Sequence, residues 1–265
     1  MKKKPLLYGL IILGVIVVIA LVGMNVFAPK KEVGTETSAE VLVVGCDAAF
    51  PPFEYLDEET GALLGFDLDL MRAIGAELGM KVEIKNVSWD GIIPGLLSGN
   101  YDVIASGMTI TDERKEVVNF SDPYINAGLV IVTRAGDNSI KGPEDLVGKR
   151  LAVQINTTGD LAATEMQAQG VAIASIKRFN HATDPFLELK NGAADAVVMD
   201  LPVAGAQIKA NPGQYQIVGE AFTTEEYGLA LRKSDTELLA KINQALKTLK
   251  ANGTYDEIYH NYFGE

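Results

Sequence analysis

From Val41 onward, short β-rich apolar runs alternate with segments of helical periodicity, and the same order occurs twice. The first set runs VLVVG (41–45), a helical FDLDLMRAIGAEL, KVEIKNV, a helical GIIPGLLSG and DVIAS. The second runs RLAVQ (150–154), a helix from about Gly159 to Ala168, VAIASIKRF (171–179), a helical DPFLELKNG and DAVVMD. Strands joined through helices run parallel, which predicts an α/β chain. Ser98–Ile104 matches Asn191–Val197, each a helix end, a glycine and a short buried strand, so the chain holds two related lobes. Gly99 and Gly192 read as helix C-caps, and Asp102 and Asp195 as turn residues. Leu70, Met71, Ile74 and Leu78 fall on one helix face toward a sheet, with Arg72 and Glu77 pointing away.

The 265 residues suffice for one large or two small domains, and 48 % hydrophobic with 22 % charged residues is a globular balance. The net charge of -12, with no basic stripe, argues against nucleic acid as a partner. It weakly favours cationic small ligands. One cysteine and two histidines leave no disulfide framework and little for a metal site, so neither metal nor cofactor is expected. Cys46 reads as a small buried hydrophobe.

Lys2, Lys3 and Lys4 precede an apolar run from Leu6 to Ala28, whose 23 residues match the ~20 that span a bilayer. Residues 1–28 are therefore a signal peptide or an uncleaved membrane anchor; the lysines hold the amino terminus inside and place the rest outside. Residues 29–40 have the composition of a linker.

In open α/β sheets, ligands bind at the carboxyl ends of the strands, here the loops at 46–53, 89, 105–114, 154–160 and 199–200. The segment SGMTITDER (106–114) offers a glycine amide, hydroxyls and a guanidinium. Arg114 either receives a carboxylate bidentately or is a surface residue on a helix capped by Thr111. Gln154–Asp160 lies between a strand and a helix, where anions bind and where Thr157, Thr158 or Asp160 can equally cap. Asp200, at a strand's carboxyl end, could meet an ammonium group or cap a helix. Asp47 and Phe50 lie in a loop stiffened by two prolines. With Trp89, the only tryptophan, Phe50 could wall a slot.

The segments AFPPFE, GFDLDL, SWDGIIPGLLSGNYDVIASGMTITDERKEVVNFSDPY, EEYGLAL and LKTLKANGTYDEIYHNYF occur in this order over residues 41–265. Together they resemble the polar amino-acid-binding proteins of ABC importers. These are extracytoplasmic solute-binding proteins of family 3, with the two-lobed type II periplasmic-binding fold, and include receptors for glutamine and for lysine, arginine and ornithine. The resemblance implies two lobes, each a mainly parallel sheet flanked by helices. Lobe one is expected at 41–125 plus 223–265, and lobe two at 129–217, with two extended crossings between them. It further implies that Arg114 clamps the ligand α-carboxylate with Thr109 and the Gly107 segment from one lobe and Thr158 from the other. Asp200 then receives the α-ammonium, while Asp47, Phe50 and Trp89 surround the side chain.

Two departures bear on the ligand. Gln154 and Met199 stand where glutamine receptors carry lysine and histidine, which argues against glutamine specificity. Asn156 replaces the family's usual glycine, which predicts altered loop geometry, although Thr158 is retained. The expected activity is capture of a free polar or basic L-amino acid (arginine, lysine, ornithine, glutamine or histidine class) by a monomer that delivers it to an ABC permease. Two alternatives stand beside it: a cyclohexadienyl-dehydratase-like enzyme using Glu54 and Asp47, and an amino-acid-sensing ectodomain.

Overall fold

The structure is a computed structural model describing residues 40–264. The amino-terminal apolar run and nearly all of the linker lie outside the described residues. Among the described residues, no helix is long and apolar enough to cross a membrane.

The chain opens with β1 (Val41–Cys46) and a small meander of β2 (Ala49–Phe50), β3 (Glu54–Leu56) and β4 (Leu63–Leu64). There follow α1 (Phe66–Leu78), β5 (Lys81–Asn86), α2 (Ile92–Leu97), β6 (Val103–Ile104), α3 (Asp112–Val117) and β7 (Val118–Phe120). It leaves the first sheet through β8 (Ile125–Ala127). The second sheet is built by β9 (Leu129–Arg134), β10 (Arg150–Gln154), α4 (Thr158–Ala168), β11 (Ser175–Phe179), α5 (Asp184–Lys190), β12 (Ala196–Asp200), α6 (Leu201–Ala210) and β13 (Tyr215–Val218). The return runs through β14 (Glu225–Tyr227) into β15 (Ala230–Arg232), and α7 (Thr236–Asn252) and α8 (Thr254–Phe263) finish the fold.

Two five-stranded sheets result, β5-β1-β6-β15-β7 and β11-β10-β12-β9-β13, with the same topology. In each, three neighbouring strands are parallel, and the strand entered from a crossing, β15 or β9, is antiparallel to both its neighbours. The two crossings, β8 and β14, pair antiparallel with each other.

The repeat extends to polar detail. Asp102 accepts the Val43 N–H at 3.1 Å, and Asp195 accepts the Arg150 N–H at 2.9 Å. These carboxylates thus fasten a neighbouring strand rather than only closing their own turns. Arg232, ending β15, donates to the carbonyls of Leu96 and Tyr101 at 3.2 and 2.6 Å. Arg134, ending β9, donates to Leu189 and Ala194 at 2.9 and 2.8 Å. A helix leaves its last carbonyls without intrahelical partners, and in both lobes an arginine supplies the donor.

Packing follows the apolar periodicity. Leu70, Met71 and Ile74 of α1 are fully buried in the main core, where each contributes ~1.5–3 kcal/mol; Leu78 packs at its edge. Arg72 and Glu77 are exposed, and Cys46 is buried.

Candidate functional site

The strand ends of the two sheets face each other across a small cavity lined by residues of both. Nine of the ten residues singled out from the sequence line it: Asp47, Phe50, Trp89, Gly107, Thr109, Arg114, Gln154, Thr158 and Asp200. Met199 does not. Along β12 the pleat sends Val197 and Met199 into one apolar core and Ala196 and Val198 into the other, so the thioether packs at 4 % exposure away from the cavity.

Arg114 is placed by the short α3. Thr111 caps that helix, its hydroxyl accepting the Arg114 N–H at 3.1 Å, and Asp112 and Glu113 occupy the first turn. The capping reading thus holds, but the arginine is 9 % exposed and not a surface residue. Its side chain folds back so that Nη1 donates to the Thr109 carbonyl at 2.8 Å and Nη2 to the Asn156 carbonyl at 3.3 Å across the cleft. The guanidinium carbon lies 5.4 Å from the Trp89 ring centroid, a cation–π contact. Trp89 thus faces the arginine; it begins a 3₁₀ turn (Trp89–Gly91) beyond the end of β5. Among the described residues no carboxylate forms an ion pair with Arg114. Burial pulls its pKa down while Asp200 and Glu225 hold it up. A buried cation left in this condition is relieved by an incoming carboxylate.

Two special backbone positions shape this end of the cavity. Asn156 has φ 58, the left-handed conformation open to glycine and, among other residues, most readily to asparagine. Asparagine here adopts a left-handed turn of the kind glycine favours, and that turn aims the Asn156 carbonyl at Arg114. Gly107 has φ 50, and a Cβ there would lie 2.4 Å from the Phe50 ring. Thr157 caps α4, receiving the Asp160 N–H at 3.3 Å and donating to the Gln154 carbonyl at 2.8 Å. The positive end of α4 thus opens on the cavity beside Thr158.

Two acids, Asp47 and Asp200, line other parts of the cavity. Asp200 precedes α6 without its side chain capping it, and its Oδ1 is buried with no hydrogen-bond partner among the described residues. Its pKa is raised to about 7, first by burial and then by Glu225, with Tyr227 and Arg114 opposing. An ammonium placed there would satisfy the orphaned oxygen. On another wall, Asp47 Oδ2 accepts from Gln154 Nε2 at 3.3 Å, and Asp47 Oδ1 lies 3.5 Å from His181 Nδ1. Burial raises the Asp47 pKa, opposed by His181, Gln154 and the Trp89 backbone. Gln154 Nε2 also donates to the Asn180 carbonyl at 2.9 Å, so both amide protons are engaged and the Gln154 oxygen remains as an acceptor.

Beneath the cavity floor, Glu54 and Asp67 are fully buried. Glu54 accepts the Ser106 hydroxyl at 2.8 Å; Asp67 accepts the Gly107 N–H at 2.8 Å and the Tyr124 hydroxyl at 2.7 Å. Ser106 in turn accepts the Asp47 N–H at 3.0 Å. Burial and mutual repulsion push the Glu54 pKa well up, and burial brings Asp67 to about 7. The two acids thus fasten the Ser106–Gly107 loop from below.

Ser106 and Thr157, within the two loops singled out, line the cavity as well, whereas sequence reasoning missed His181, which faces Asp47, and Glu225, which accepts from two lining threonines. Glu225 lies within the EEYGLAL segment, but its role depends on two partners far away in the chain.

A sequence model of the bacterial extracellular solute-binding proteins, family 3, matches residues 42–265. The chain is 36 % identical over 246 residues to a probable histidine-binding protein of Neisseria gonorrhoeae, covering 92 % of this chain and 88 % of that one. Among solved structures, an ancestral arginine-binding protein bound to arginine is 50 % identical with a TM-score of 0.81, covering 84 % of this chain and 98 % of that one. An ancestral amino acid-binding protein described as a precursor of cyclohexadienyl dehydratase is 43 % identical with a TM-score of 0.78, covering 84 % and 95 %.

Proposed function

The chain belongs to family 3 of the bacterial extracellular solute-binding proteins, and on that premise we propose that it captures a basic L-amino acid, arginine foremost, and delivers it to an ABC importer. The observation that carries this reading is the buried Arg114 guanidinium, without a carboxylate ion-pair partner among the described residues, in a cavity that two acids, Asp47 and Asp200, also line. A zwitterion fits that polarity. Its carboxylate meets Arg114 and the amino-terminal end of α4, and its ammonium meets Asp200. Asp47 and the Gln154 oxygen, both acceptors, then meet a side chain rich in donors, as a guanidinium is. A glutamine side chain would bring a carbonyl to a wall whose Gln154 protons are already engaged, so it ranks below arginine.

Closure of the lobes over the ligand is the signal the permease reads, and the protein acts as a monomer outside the cytoplasm. The export reading of residues 1–28 supports that location. Binding without turnover is favoured because Glu54, one of the two acids a dehydratase reading would use, is sealed beneath Ser106 and does not line the cavity. The relatives are named as binding proteins, which agrees.

The test uses Trp89, the only tryptophan, as reporter. Fluorescence titration of the purified protein with the twenty amino acids and ornithine is expected to show saturation with arginine at the lowest concentration. A preference for an acidic or apolar amino acid would contradict the assignment of Asp47 and Gln154.

A further inference from the structure

Glu225 lies on β14, one of the two crossings, where it pairs with Ala127 of β8. It is 8 % exposed. Its Oε2 accepts the Thr109 hydroxyl at 2.7 Å and the Thr158 hydroxyl at 2.9 Å, and its Oε1 accepts the Thr223 hydroxyl at 3.2 Å. Thr109 belongs to lobe one and Thr158 to lobe two, and both line the cavity. The Thr109 contact is built into the backbone: Ile110 N–H donates to Glu226 O at 2.8 Å, Gly228 N–H donates to Met108 O at 3.1 Å, and Thr109 bridges Tyr227.

A threonine hydroxyl has one proton. A carboxylate that accepts it leaves only lone pairs for a third party. In this closed arrangement Thr109 and Thr158 therefore face the cavity as acceptors, suited to an ammonium rather than to a carboxylate. This revises the part both hydroxyls are expected to play: their protons are already committed, and carboxylate recognition falls to Arg114 and the amides at the start of α4.

We propose that Glu225 is a positioning residue that couples closure to recognition: from the hinge it takes the protons of one threonine from each lobe, fixing both hydroxyls as acceptors for the ligand ammonium and joining the lobes when they meet. This rests on the amino-acid-binding reading and goes beyond it, because Glu225 is not itself among the residues lining the cavity. Its charge acts on the site as well. The ionisable groups that face it are Asp200, Arg114 and Tyr227, and Glu225 is the second cause, after burial, of the raised Asp200 pKa.

Two variants of the full chain, titrated with L-arginine between pH 5.5 and 8.5, separate reach from charge. Glu225→Asp keeps the charge but is one methylene too short to serve both threonines; it is expected to weaken arginine binding about tenfold, the size of one or two lost hydrogen bonds, with the pH midpoint of binding unchanged. Glu225→Gln is expected to weaken binding similarly at high pH and also to move the midpoint to lower pH, because Asp200 loses its like-charged neighbour. A merely structural role would leave that midpoint in place. If Glu225→Gln does not fold, Glu225→Asp carries the affinity test alone. Wild-type affinity in Glu225→Asp, or an unmoved midpoint in a folded Glu225→Gln, overturns the proposal while leaving amino-acid binding intact. Failure of the unmodified protein to bind any amino acid overturns both.

Discussion

Arg114 concentrates the account in one side chain. Its two nitrogens reach Thr109 and Asn156 on opposite sides of the cleft, a span that a planar fork provides and an ammonium does not. Arg114→Lys keeps the charge yet is expected to lower arginine affinity by about a hundredfold or more, since breaking a buried charge-assisted pair costs ~2–5 kcal/mol. Calorimetry on a variant with an unchanged melting temperature checks this. Asp200 adds a pH dependence. Its folded pKa of about 7 lies above the ordinary carboxyl value, so its contribution to the stability of the empty protein is present at low pH and is lost as pH rises through 7. Arginine affinity runs the opposite way, because the ammonium needs the ionised form. Binding at pH 6 should release close to one proton, and at pH 8.5 almost none, measured from the dependence of the binding heat on buffer ionisation enthalpy. At this scale the sequence is informative where one short segment holds both the group and its scaffold, as in SGMTITDER. It is silent about Glu225, whose threonine partners lie 116 and 67 residues away, and about the pleat that turns Met199 inward.

The elements were legible wherever a run is buried by local pattern. VLVVG, RLAVQ and DAVVMD form β1, β10 and β12 close to their expected bounds, and FDLDLMRAIGAEL forms α1. VAIASIKRF is shorter as a strand than its apolar content implies. Val171 donates instead to Met166 O at 3.0 Å at the end of α4, and Ala174 to Lys149 O at 2.9 Å, so β11 begins only at Ser175. The antiparallel strands β9 and β15 are beyond local pattern, because each enters its sheet from the other lobe. The loop before α4 yields a prediction at the same scale. Asn156→Gly should leave stability and arginine affinity nearly unchanged, whereas Asn156→Val should lower both: a β-branched residue at φ 58 costs ~1–3 kcal/mol of strain. Chemical denaturation and calorimetry on the two variants give the comparison.

For the whole molecule, the internal repeat explains why a binding cavity exists. Two sheets of the same topology present their strand ends to each other, joined by the paired crossings β8 and β14, by apolar packing continuous between the lobes and by a few polar contacts. Those polar contacts include Arg114 to Asn156, Gln154 to Asp47, His181 to Asp47 and Thr158 to Glu225, and each hydrogen bond among them is worth ~0.5–1.5 kcal/mol net, or somewhat more where charged. A ligand that adds contacts to both lobes can shift the balance further toward closure. Two lobes were legible from the repeated order of strands and helices, while the hinge carboxylate that touches both was not. An α-carboxylate is expected to complete the buried Arg114 guanidinium, which no carboxylate among the described residues pairs. Calorimetric titration with L-arginine and with agmatine, which is arginine without its α-carboxylate, tests it directly. Saturable one-to-one binding of arginine and loss of nearly all affinity for agmatine are expected; agmatine binding as tightly as arginine, or no binding of arginine at all, would rule out carboxylate recognition by Arg114.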